Sequence, residues 1–170
     1  MRYQAPKDMR IGHVHLRVSD LERSIAFYRD VIGLDVVQRY GAQAAFLSAG
    51  GYHHHIGLNT WQSKGSEPAP KRFPGLFHAA FLFPDRASLG LAVVQAMNQG
   101  VAIDGSADHG VSEAVYFDDP DGNGIELYRD RNPSEWPRNE NGDLVITNSR
   151  LDLAALLREA RGLDPSAARP

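Results

Sequence analysis

A chain of 170 residues, 42% of them hydrophobic, can bury one full core and is too short for more than a compact unit of two subdomains. A formal net charge of −3 with no long basic run excludes an electrostatic nucleic-acid or membrane surface, which needs clustered Lys and Arg, and leaves small molecules as the expected partners. The absence of cysteine excludes disulfides, iron–sulfur clusters and thiolate sites, so any metal is held by nitrogen and oxygen.

Residues 1–11 lack the apolar core of a secretory signal and no later run approaches membrane-spanning length, so a cytoplasmic location is expected. Val14, Leu16 and Val18 alternate with His13, His15 and Arg17, which predicts a half-buried strand with its polar set opposite the core. Ser19-Asp20 then start a helix, in which Leu21, Ile25, Phe27, Tyr28, Val31 and Ile32 recur at helical spacing until Gly33 stops it. Residues 35–40, 44–47 and 52–61 read as strands parted by Gly41 and Gly50-Gly51, giving a βαβββ module over residues 10–61. Residues 62–74, rich in Gly, Ser, Pro and Lys, read as a linker. The order then repeats over residues 75–130, with a strand at 76–83, a helix at 86–99, a short strand at 101–103, and strands at 113–117 and 125–129 around the turn-rich loop 118–124. Residues 131–170 form a C-terminal extension with a short amphipathic helix beginning near Leu151. The predicted fold is α+β, two paired βαβββ modules forming a cupped mixed sheet around a metal site.

The metal site is suggested by a repeated phrase. His13-Val14-His15-Leu16-Arg17-Val18-Ser19-Asp20 and His78-Ala79-Ala80-Phe81-Leu82-Phe83-Pro84-Asp85 each open on a histidine and close on an aspartate before a helix. His13 and His78 hold the same position of two copies, so a pseudo-two-fold arrangement would bring them together. Glu126 alternates with Ile125 and Leu127, away from the core face, and a divalent cation would remove the cost of burying its charge. Two histidines and one carboxylate are the ligand set of a non-haem iron site.

Residues 11–28 and 115–128 resemble the two ends of a vicinal oxygen chelate protein, the superfamily of extradiol ring-cleavage dioxygenases, glyoxalase I, fosfomycin resistance enzymes and bleomycin-binding proteins. The resemblance implies His13, His78 and Glu126 as metal ligands. His53-His54-His55-Ile56-Gly57 is similar to the strand that carries the acid–base histidine of small two-module extradiol dioxygenases. Matching on Ile56-Gly57 favours His54, whereas strand alternation sends His53 and His55 into the cavity. Asp108-His109-Gly110 and Tyr116 resemble the family's supporting His and Tyr pair, although His109 departs from its usual spacing.

No Glu lies within residues 51–59 to act as a fourth ligand. A three-ligand octahedral site keeps room for a bidentate diol and dioxygen together, which favours oxygenation. The resemblance therefore implies an iron(II)-dependent extradiol dioxygenase acting on a catechol or 2,3-dihydroxybiphenyl-like diol with O2, with manganese(II) as the alternative metal and a homodimer as the assembly. In this reading histidine takes and returns protons, as imidazole can near neutral pH. Two rivals stand beside it. One is a glyoxalase I-like isomerase or lyase, with His55 completing a four-ligand shell around nickel, cobalt or zinc; the other is a non-catalytic small-molecule-binding protein.

Overall fold

The computed structural model describes residues 1–161. β1 (Val14–Arg17), α1 (Leu21–Asp30), β2 (Asp35–Tyr40), β3 (Ala44–Ser48) and β4 (Ile56–Asn59) make the first βαβββ unit. β5 (His78–Phe83), α2 (Arg86–Asn98), β6 (Gly105–Asp108), β7 (Ser112–Asp118) and β8 (Gly124–Asp130) repeat it, followed by β9 (Ser149–Arg150) and α3 (Leu153–Arg161). The duplicated aspartates are duplicated helix caps: Asp20 accepts the Arg23 N–H at 3.1 Å and Asp85 the Ser88 N–H at 2.7 Å, each satisfying a first-turn amide that the helix itself cannot.

The strands form two mixed sheets rather than one. Their orders are β1-β4-β3-β2 and β5-β8-β7-β6-β9, with β1 parallel to β4, β5 parallel to β8, and the other pairs antiparallel. β1 and β5 both lie at a sheet edge, and no ladder joins the two sheets among the described residues.

What joins the units is a common core and a polar seam. Leu16, Val18, Ile25 and Leu58 belong to the same buried cluster as Leu89, Val115, Phe117, Leu127 and Leu156, and the Phe27 and Phe117 rings meet at 6.3 Å. Fully burying each such side chain contributes about 1.5–3 kcal/mol. At the seam the Tyr28 hydroxyl donates to Asp119 Oδ2 at 2.9 Å, and the Ser19 N–H and the Arg23 guanidinium donate to Asp121 at 3.1 and 2.6 Å.

Two predicted strands are corrected. The one expected at 52–61 is only Ile56–Asn59, because a turn through Gly50 and Gly51, both at positive φ, occupies the chain before it and leaves His53 to His55 outside the strand. The one expected at 101–103 is displaced to Gly105–Asp108: the Val101 N–H caps α2 by donating to Ala96 O at 3.0 Å, so ladder pairing begins only where Gly105 meets Tyr116. The predicted helix of the extension is α3; residues 162–170 lie outside the described residues.

Candidate metal centre and its cavity

Strand alternation determines which side chains reach the site. Val115 and Phe117 point into the core, so Tyr116 points away from it; Ile125 and Leu127 do the same for Glu126. The antiparallel register sets Tyr116 directly opposite Glu126, and the parallel register sets His78 opposite Gly124. A Cβ on Gly124 would fall 2.2 Å from the Phe77 carbonyl oxygen, so only glycine allows β5 to run this close beside the carboxylate.

The result is one hydrogen-bonded run. His78 Nε2 lies 2.9 Å from Glu126 Oε2, the Tyr116 hydroxyl donates to Glu126 Oε1 at 2.9 Å, and His109 Nε2 lies 2.7 Å from the Tyr116 oxygen. His109 Nδ1 lies 2.9 Å from the Thr147 carbonyl oxygen. Burial above all, and then the hydrogen bond and charge of Glu126, raise the Tyr116 phenol well above its ordinary pKa. Tyr116 thus keeps its proton near neutral pH and serves as a donor.

These atoms line a cavity of about 1240 Å³. His15, Arg17 and Ser19 border it from β1 and the residues just after, and the linker supplies Ser63, Lys71 and Phe73. The linker's part in the wall was not foreseen, because its composition announces a loop without saying what it covers. Ile146 and Asn148 of the extension also reach the cavity. Burial, and next the neighbouring His13, lower the pKa of His15.

The first module's candidates sit elsewhere. The His13 and His54 rings lie tilted by 46° with centroids 4.3 Å apart, and His53 Nδ1 lies 2.7 Å from His54 Nδ1. His55 Nδ1 accepts from the Ala49 N–H at 3.3 Å and contacts Ser48 Oγ at 3.0 Å. None of His13, His53, His54 and His55 borders the cavity, and among the described residues no three His, Asp or Glu side chains meet in an arrangement able to hold a metal. The structure therefore brings together His78, Glu126, Tyr116 and His109, and leaves His13 and His54 as a second group. His78 and Glu126 nevertheless fit a cation: two donors each about 2.1 Å from a metal and at a right angle to one another stand about 3.0 Å apart. Glu126 has Oε2 to offer while Oε1 is held by Tyr116.

Residues 10–127 match the family described as Glyoxalase/Bleomycin resistance protein/Dioxygenase superfamily. The chain is 41% identical over 155 residues to a catechol-2,3-dioxygenase of Bacillus subtilis, covering 91% of this chain and 53% of that protein. It is 34% identical over 124 residues to biphenyl-2,3-diol 1,2-dioxygenase 3 of Rhodococcus globerulus, covering 71% and 63%. The chain thus spans between about half and just under two thirds of these two relatives. Among solved structures, a lactoylglutathione lyase from Agrobacterium tumefaciens superposes with a TM-score of 0.57 at 25% identity, over 73% of this chain and 96% of that one. Among the described residues no helix is long and apolar enough to cross a membrane.

Proposed function

Because the chain belongs to the Glyoxalase/Bleomycin resistance protein/Dioxygenase superfamily, we propose that it is a metal-dependent extradiol dioxygenase opening the ring of a catechol-type diol, such as catechol or 2,3-dihydroxybiphenyl, with dioxygen. The observation that carries this reading is the continuous run from His109 through Tyr116 and Glu126 to His78 along one wall of an open cavity. The two dioxygenase relatives support the substrate class.

His78 Nε2 and Glu126 Oε2 are the proposed donors to iron(II), or alternatively manganese(II), which when bound would template diol and dioxygen together and ease deprotonation of the diol. Tyr116, whose hydroxyl donates here to Glu126 Oε1, is the proposed proton donor to the diol oxygens, and His109 Nε2 behind it is the proposed proton partner of the phenol. His15 and Arg17 also line the cavity, where the Arg17 guanidinium offers a diol anion positive charge.

The third donor, His13, is proposed to come from a second copy of the chain. β1 and β5 are both free edges, and an exposed edge flanked by apolar residues such as Phe77 (88% exposed) and Leu82 (56% exposed) calls for a partner. A two-fold pairing of β1 with the other copy's β5 sets His13 of the partner subunit beside His78 and Glu126, and does so twice per dimer. His54 travels with His13 and is the acid–base histidine of this reading. An isomerase of the lactoylglutathione lyase kind would need a fourth donor, and the histidine offered for it, His55, does not border the cavity.

The test is anaerobic reconstitution with Fe(II), addition of catechol or 2,3-dihydroxybiphenyl, and admission of air. A yellow product with stoichiometric oxygen uptake is expected, and no uptake across a panel of catechols would refute the reading. Mixing His13→Ala and Glu126→Ala proteins, each inactive alone, tests the shared site. Random reassortment leaves one intact site in half the dimers, so about a quarter of the activity should return. No return would reject the contribution of His13 by the partner.

A further inference from the structure

We infer that the C-terminal extension is a positioning strap for the site, in which the Thr147 main chain clamps His109 and fixes the hydrogen of its imidazole on Nδ1. β9 pairs antiparallel with β6, Arg150 opposite Ala107 and Ser149 opposite Asp108, and the Ser149 hydroxyl donates to the Asp108 carbonyl at 3.1 Å. The contact continues past the end of the ladder: the Thr147 N–H donates to the His109 carbonyl at 2.9 Å, while the Thr147 carbonyl lies 2.9 Å from His109 Nδ1. One residue of the strap therefore bonds both the main chain and the side chain of His109.

A carbonyl oxygen can only accept, so the Nδ1 of His109 carries a hydrogen and Nε2 is the atom turned to Tyr116. The single Tyr116 hydroxyl hydrogen goes to Glu126. Its oxygen takes a hydrogen from Nε2 when the imidazole is protonated, and when the imidazole is neutral Nε2 is a second acceptor that competes with Glu126 for the hydroxyl hydrogen. The strap thereby sets which nitrogen exchanges protons with the phenol.

Both ends of the strap are tied down. At one end the Trp136 indole N–H donates to Arg131 O at 2.9 Å and the Val145 N–H to Pro137 O at 2.9 Å; at the other, Leu151 and Leu156 are buried in the core. Gly110 sits where strap and His109 turn meet. Its φ is +75°, and an added Cβ would lie 2.8 Å from Pro137 Cγ and 3.0 Å from Thr147 Oγ1.

The inference takes its catalytic meaning from the proposed ring cleavage, but its test needs no turnover. Imidazole 15N spectra of the metal-free protein at alkaline pH should show a hydrogen on Nδ1 of His109. Gly110→Ala, which drives the strap away, should lose that signature. Thr147→Pro, which removes the strap's N–H bond to the His109 carbonyl at an exposed position and so lets the retained carbonyl move off Nδ1, should weaken it also and serves if the first variant does not fold. A wild-type His109 with its hydrogen on Nε2 alone, or a spectrum unchanged in the folded variants, would overturn the clamp. A locked Nδ1–H in a protein inactive on every catechol would instead refute the ring-cleavage reading and leave the clamp standing.

Discussion

Replacing Tyr28 by Phe isolates one of the bonds that tie the two βαβββ units together. Tyr28 is 0% exposed, so no water replaces the partner it loses, and its ring packing, including the edge contact with Phe27 at 5.3 Å, is kept. Asp119 keeps three donors: the Asp121 N–H at 2.9 Å, the Asn123 N–H at 2.8 Å and the Asn123 side-chain amide at 2.9 Å. The loss is therefore one hydrogen bond to a buried carboxylate, about 1.5–3 kcal/mol. For a chain of this size that is a fall in Tm of roughly 3 to 12 °C. Asp119→Ala should cost more, since the Tyr28 hydroxyl and the loop amides all lose their acceptor together. Urea unfolding followed by circular dichroism measures both, and the double variant gives the coupling energy. A single transition is expected because one buried cluster spans both units. Tyr28→Phe within about 0.5 kcal/mol of wild type, or Asp119→Ala no worse than it, would refute the account of the seam.

Glu126→Gln keeps the shape and still accepts from Tyr116, so stability should stay within about 0.5 kcal/mol while affinity for Fe(II) falls by more than about a hundredfold, read as iron content after gel filtration. Tyr116→Phe should keep iron and stability but lower kcat by about a hundredfold with any catechol turned over, read by oxygen uptake. Glu113→Ala removes a 4% exposed carboxylate that accepts from Arg86, Arg129 and Arg131, the first two at 2.9 Å. Arg86 retains Glu159 and Arg131 retains Asp108, but Arg129 is left without its carboxylate, so a loss of about 3 kcal/mol is expected in chemical denaturation.

Much of the site was legible because it rests on local rules. Period-two alternation put Glu126 on the face away from the core, the family resemblance picked out Tyr116, and the repeated Asp caps set the start of both helices. His109 was readable from its neighbours although its spacing looked short: it sits in the β6–β7 turn, from which its ring reaches back to Tyr116. What the sequence withheld is long-range. Equivalence in a repeat makes His13 and His78 alike in their own modules without making them near in one chain, and both β1 and β5 end as sheet edges. Val101 and Ile103 look like a strand because they are apolar, yet they pack on the core as the exit from a helix cap. Nothing in a Pro- and Asn-rich tail announces that one carbonyl of it will hold a histidine.

The two modules also show why the first carries no counterpart of Glu126. The registers pair His15 with Gly57 in β1 and β4, and Ala80 with Glu126 in β5 and β8. With His13 matched to His78, these are the same two positions, so Ile56-Gly57-Leu58 stands where Ile125-Glu126-Leu127 stands in the second copy. The large polar group is on the outer strand in one module and on its neighbour in the other. A Cβ on Gly57 would come within 2.8 Å of the His15 ring, so the space a second glutamate would need is already filled by an imidazole. That imidazole lines the cavity, and burial, then the neighbouring His13, lower its pKa. In the proposed reading, a His15–Gly57 pair standing where Glu126 stands in the second module leaves the first module without a carboxylate donor, the arrangement that ring cleavage on an open coordination sphere, rather than isomerisation on a four-donor shell, would use.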